Sequence, residues 1–216
     1  MVAAIDDAMN QILEEIGLSQ APDTGVDYMT SVGAIAGDDG RVRLPRALAG
    51  DMLAKAARNI TLHGQDPKHD MLLSGSRVHY GTAGAAVHVV DVENNAYSES
   101  YLADIYDAAR IVEKMDNIHF FQRPMVARDL EDPAALDLNT VYAAVNGTTK
   151  HVGTSFTEAP YVAPAVSMLH DIAGGEDKWR ARPFVSNSNC FVVPPLRFST
   201  ESCQVMEEAV KAGMPV

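Results

Sequence analysis

The residues best suited to chemistry lie at the polar ends of three short apolar runs. In Arg180–Arg197 (RARPFVSNSNCFVVPPLR) an apolar stretch gives way to Ser186, Asn187, Ser188, Asn189 and Cys190. Asn117–Pro124 (NIHFFQRP) and Lys150–Phe156 (KHVGTSF) repeat the design, and each precedes a helical pattern. A strand that turns polar at its carboxyl end is how a parallel β/α protein presents a ligand site, because the tip stands outside the helical cover. The equivalent placement predicts that Phe120 or Phe121, Gln122, His151, Ser155, Asn187 and Asn189 line one substrate-binding cavity at the carboxyl ends of neighbouring parallel strands.

Phe120 and Phe121 are adjacent, so in a strand they point to opposite faces. One packs against a helix, and the other can wall a pocket beside Gln122 or Arg123. An aromatic wall holds quaternary ammonium groups by cation–π attraction, although core packing is the commoner fate of a strand phenylalanine. His151 directly follows Lys150 on a strand whose far end is Gly-Thr-Ser. It reads either as a site residue or as a satisfied interior histidine. His63 and His69 read as solvent-facing, His88 and His119 alternate with apolar neighbours, and His170 sits near a helix end.

The chain has no Gly-rich dinucleotide fingerprint, Walker loop, HExxH or GxSxG. The short Gly81-Thr-Ala-Gly84 element reads as a tight turn beside packed backbone. Cys190 and Cys203 are too few for a disulfide framework or a CxxC-type zinc site, so no metal centre is expected.

These groups need a frame. Ile5, Ala8, Met9, Ile12, Leu13 and Ile16 recur at helical spacing and stop at Gly17. Residues 18–44 are turn-rich, with a short strand at Val42–Leu44 and a second helix over about 45–57. The pattern over 77–91 predicts a hairpin or a bent strand pair. Beyond residue 100 the rhythm is strand then helix: strands at 118–122, 150–155 and 184–189, apolar helical stripes over 102–115, 135–146, 162–172 and 199–212, and a further strand starting at Met214. The interval is roughly 30 residues, one βα unit. The fold class is therefore α/β, with a helical extension over 1–75 and the first βα units of a barrel over 76–216, expected to be one piece of a longer polypeptide or of an assembly that completes the barrel.

At 216 residues, 47% hydrophobic and 21% charged, the composition is that of a globular domain with one good core. A formal charge of −12 without clustered Lys and Arg argues against nucleic acid. Apolar runs fall far short of the ~20 residues that span a bilayer, and the amino terminus is acidic where a signal peptide is basic, so the expected location is the cytoplasm.

With these segments in view, the sequence resembles the trimethylamine methyltransferase family, in its large branch that includes glycine betaine methyltransferases. The likeness is carried by Gln11–Gly17 (QILEEIG), Val42–Pro45 (VRLP), Leu62–Pro67 (LHGQDP), Tyr80–Gly84 (YGTAG), Asp116–His119 (DNIH) and Thr149–His151 (TKH). The resemblance implies a (β/α)8 TIM barrel with an amino-terminal helical extension, of which this is about the first half. It also implies transfer of a methyl group from a methylated amine, trimethylamine or a betaine, to a corrinoid carried by a separate small protein, and an oligomeric state. The catalytic position, pyrrolysine in founding members, is implied beyond residue 216. A ligand-binding or scaffold half-barrel without turnover is the alternative from a different class.

Overall fold

The apolar stripes become helices, and the short β-branched and aromatic runs between them become a parallel sheet. In the computed structural model, which describes residues 1–216, the chain divides into two compact units: residues 1–57 with 190–204, and residues 58–189 with 205–216. In chain order the elements are α1 (Val2–Gln11), β1 (Leu18–Ser19), α2 (Asp23–Ser31), β2 (Ile35–Ala36), β3 (Arg41–Arg43), α3 (Arg46–Lys55), β4 (Ile60–Leu62), β5 (Met71–Leu73), β6 (His88–Asp91), β7 (Ala96–Glu99) and α4 (Leu102–Glu113). They continue with β8 (Phe120–Gln122), α5 (Pro133–Gly147), β9 (His151–Thr154), α6 (Val162–Ala173), α7 (Glu176–Ala181), β10 (Val185–Asn187), β11 (Val192–Val193), β12 (Arg197–Phe198) and α8 (Thr200–Lys211).

The first unit is built on a five-stranded sheet in the order β11-β12-β1-β3-β2. Leu18, Phe198 and Cys203 form one small core, and Ala34, Val42 and Leu48 another. The chain leaves α1 through a π-helical turn at Ile12–Ile16, and Gly17 follows at φ +70, where a Cβ would collide with the Val42 carbonyl. α2 lies in the stretch expected to be turn-rich. Asp23, Gly25 and Pro22 are turn residues by type, yet Pro22 sits at the N-cap, where its missing N–H costs nothing, and Val26 and Met29 pack on the core.

The second unit carries the three-stranded sheet β8-β9-β10, parallel throughout. The register pairs Phe120 with His151, Gln122 with Gly153, and Gly153 with Ser186. α5 and the α6–α7 pair are the crossovers, as expected where strands run parallel. Helix residues Val141, Ala144, Val162, Val166 and Leu169 share one core with Phe121, Val152 and Val185 of the strands. Gly147 lets α5 approach α4 closely, since a Cβ there would meet the Ala109 side chain and the Tyr106 carbonyl.

Of the hairpin or bent strand pair expected over 77–91, only residues 88–91 enter a hairpin, with 96–99; residues 81–86 do not. Residues 81 and 86 form parallel bridges to Phe120 and Met125, with His119 N–H donating to the Tyr80 carbonyl (2.7 Å) and Ala86 N–H to that of Pro124 (3.1 Å). The segment thus lies along β8 as a further parallel neighbour. The hairpin comes next, as β6 and β7. On the other side, Asn187 N–H donates to the Pro215 carbonyl (2.8 Å), so residue 215 lies beside β10. The mixed α/β class expected from the sequence stands, and the parallel strands β8, β9 and β10 form an open sheet.

Candidate functional site

Side chains alternate across a strand, so register divides this sheet into two faces. Phe121, Val152, Thr154, Val185 and Asn187 are buried on the face covered by helices. Phe120, Gln122, His151, Gly153 and Ser186 share the other, inner face. Two glycines make room there. A Cβ on Gly153 would fall on the Gln122 carboxamide, and one on Gly81 would fall within the Phe120 ring. The aromatic ring and the amide therefore sit directly over the backbone of neighbouring strands, and Thr82 fixes β8 by donating its hydroxyl to the Gln122 carbonyl (2.6 Å).

His151 is 1% exposed and uses both ring nitrogens: Nδ1 lies 2.8 Å from the His63 carbonyl and Nε2 lies 2.9 Å from Ser186 Oγ. A carbonyl only accepts, so Nδ1 carries the proton and Nε2 accepts from the Ser186 hydroxyl. Burial pushes the His151 pKa down, opposed by the bond to the His63 carbonyl, and the ring stays neutral. His63 is itself held. Its Nδ1 lies 3.1 Å from Asp70 Oδ2, Gly64 N–H donates to Asp70 Oδ1 (3.0 Å), and Arg182 donates two bonds of 2.9 Å to the same carboxylate. The β4–β5 connection therefore crosses the amino ends of the strands, and neither His63 nor His69 is simply solvent-facing: His69 Nε2 is 3.7 Å from Glu113.

Lys150 points to the helix side. Its ammonium donates to the carbonyls of Val112 (2.7 Å), Met115 (2.6 Å) and Ile118 (2.6 Å), at and beyond the carboxyl end of α4, where the helix dipole favours a cation. Burial lowers its pKa while Glu113 and Asp116 raise it again. Glu113 accepts from Thr148 Oγ1, Thr149 N–H and Thr149 Oγ1 at 2.7, 2.8 and 3.0 Å. Burial pushes this carboxyl up, and those bonds together bring it below the usual range. A cavity of about 230 Å3 opens here, lined by His69, His79, Glu113, Asp116, His119 and Lys150. No group of three or more His, Cys, Asp or Glu is placed to hold a metal ion.

At the carboxyl ends, Asp137 of α5 accepts from Thr157 N–H (2.7 Å) and Thr157 Oγ1 (2.8 Å), pinning the loop that carries Ser155. Burial raises the Asp137 pKa against these bonds and the nearby Arg123 guanidinium.

The expected residues are therefore only partly together. Phe120, Gln122 and His151 share the inner face, while Phe121 belongs to the core. Asn187 is buried on the helix side, with neither amide atom hydrogen bonded. Phe120 and His151 open their strands rather than close them; Ser155 follows the end of β9, and Asn189 lies two residues past β10, both half-buried. A single cavity at the carboxyl ends is not what these seven residues form. The sequence reading missed Ser186 as a partner of His151, and Gly81 and Gly153 as the floor. Its one signal was that His151 and Ser186 fall at polar positions of consecutive strands.

A family model described as trimethylamine methyltransferase (MTTB) matches residues 1–216. The chain belongs to that family. It is similar to trimethylamine methyltransferase MttB of Desulfitobacterium hafniense, 28% identical over 214 residues, which is 99% of this chain and 43% of that relative. MttB1 and MttB2 of Methanosarcina mazei are 29% and 28% identical over 183 and 223 residues, 81% and 100% of this chain but 36% and 41% of theirs. The chain thus spans about two-fifths of the length of the curated relatives it matches. In this member of the trimethylamine methyltransferase family, two segments that carry the likeness, Leu62–Pro67 and Thr149–His151, meet directly. His63 contacts His151, and Asp66 N–H donates to the Thr149 carbonyl (3.2 Å).

Proposed function

We propose that the protein takes part in moving a methyl group from a methylated amine, trimethylamine or a betaine such as glycine betaine, to a corrinoid held by a separate protein, and that its parallel strands are the first half of a (β/α)8 barrel. The observation that carries this reading is the family match over the whole chain. The inner face supports it. Phe120, Gln122 and Ser186 combine an aromatic ring with uncharged polar groups around a glycine floor, and a quaternary ammonium such as that of a betaine, which has no N–H, needs an aromatic wall and exclusion of water more than a hydrogen-bond acceptor. The face offers no free imidazole to cobalt, because both nitrogens of His151 are engaged. The residues fit the amine and not a resident corrinoid, so this chain's part is to bind, orient and dry the amine. The corrinoid, held on its own protein, would supply the nucleophile for the methyl carbon, with the demethylated amine as the leaving group.

The test is turnover by the full-length protein with a reduced corrinoid protein, following demethylated amine by NMR. Formation of dimethylamine from trimethylamine, or of dimethylglycine from glycine betaine, is expected. Calorimetric silence toward both, with no product, overturns the reading and favours a non-catalytic scaffold.

A further inference from the structure

The hydroxyl of Ser186 has only one hydrogen, and the neutral His151 ring takes it. Nδ1–H is committed to the His63 carbonyl at 2.8 Å, so Nε2 accepts, and Ser186 Oγ at 2.9 Å must donate. The ring cannot turn over to offer a donor instead, because Asp70, Gly64 and Arg182 fix the segment that carries the accepting carbonyl. Ser186 therefore shows the inner face lone pairs and no proton. It stands one strand away from Gly153, across which the Gln122 carboxamide lies, and it is half-buried rather than sealed.

We infer that Ser186 is a specificity-determining contact for the methyl groups of a methylated ammonium, and that His151 is the positioning residue that turns its lone pairs toward them. The inference rests on the function proposed above. The hydrogens on N-methyl groups of such a cation carry part of its charge, and an oxygen with its proton engaged elsewhere can receive them as weak C–H···O contacts. A ligand that must accept a hydrogen bond finds no donor in this hydroxyl. The pair thus selects for charge on a group whose shape alone does not distinguish it from tert-butyl.

The experiment compares two probes of nearly the same shape on the full-length protein by calorimetry or competition: tetramethylammonium and neopentane, its uncharged isostere without an O–H or N–H to donate. Ser186→Ala is expected to weaken tetramethylammonium about 3–10-fold and to leave neopentane unchanged. Ser186→Cys, which keeps size with a poorer acceptor, is expected to follow the same direction. His151→Gln should also weaken tetramethylammonium selectively, and the double variant should lose no more than Ser186→Ala alone, because both act through one oxygen. Equal losses for both probes, or none for either, overturn the inference while the proposed function stands. If the wild-type protein binds neither tetramethylammonium, trimethylamine nor glycine betaine, the proposed function fails and this inference with it.

Discussion

Arg182 grips Asp70 with two parallel hydrogen bonds of 2.9 Å across 112 residues of sequence. The bonds join the end of α7 to the β4–β5 connection, and through Gly64 and His63 they set the carbonyl that fixes His151. Bidentate guanidinium–carboxylate pairs carry orientation as well as energy, so this one acts on the inner face without touching it.

Burial pushes the Asp70 carboxyl up, but the bonds from Arg182, His63 and Gly64 together hold it below the usual range. A depressed carboxylate contributes stability that is present above its unfolded value, near 4, and lost as pH falls through the folded one. His151 adds to the acid side earlier. Between the ordinary histidine value and its own lowered one, the unfolded chain binds a proton that the folded chain does not, so stability falls as pH drops through that window. Arg182→Ala should therefore unfold at higher pH than wild type in an acid titration followed by circular dichroism. An unchanged acid midpoint contradicts the assignment.

Gly153→Ala places a methyl group on the Gln122 carboxamide. Overpacking of this kind costs about 1–3 kcal/mol. Adding Gln122→Ala removes the obstacle and should recover most of the loss in denaturant unfolding. Simple additivity of the two changes would show that the side chains do not meet.

The two neighbouring phenylalanines should separate by readout. Phe120→Leu removes the ring from the inner face and is expected to lower affinity for trimethylamine or glycine betaine by about 0.5–2 kcal/mol, with little effect on folding. Phe121→Leu changes a fully buried core position and should lower stability by about 1 kcal/mol while leaving affinity alone. Calorimetry and urea unfolding on both variants decide it, and the reverse pattern would mean the faces are misassigned.

Lys150→Met leaves three carbonyls without their donor. Buried acceptors stripped of a partner are costly, and a loss of roughly 2–4 kcal/mol in urea unfolding is expected. A loss below about 0.5 kcal/mol would mean that water replaces the ammonium freely.

The βα rhythm was legible because α4, α5 and α6 each bury an apolar stripe, and a stripe is written in the spacing of Ile105, Ala109 and Val112 or of Val162, Val166 and Leu169. α2 was not, because Pro22, Asp23 and Gly25 are turn residues by type and only packing of Val26 and Met29 makes them helical. Adjacency told that Phe120 and Phe121 part company, but which one turns inward depends on register with β9. The glycines that matter were hidden for the same reason. Gly81 and Gly153 owe their roles to Phe120 and Gln122 on other strands, and no local pattern announces what lies across a sheet. His151 was visible as an unusual residue, yet its partners come from 88 residues before and 35 after.

The ammonium of Lys150 occupies a small cage of carbonyl oxygens of the kind that elsewhere strips the hydration shell from potassium. Here the ion is tethered to the chain by its own side chain. It cannot exchange with the medium, so the joint between α4 and β9 should hold from low to high ionic strength, unlike the surface pairs such as Arg46 with Asp7. Lys150 is only 4% exposed beside its cavity, so acylating and alkylating reagents should reach its amine slowly until the chain unfolds.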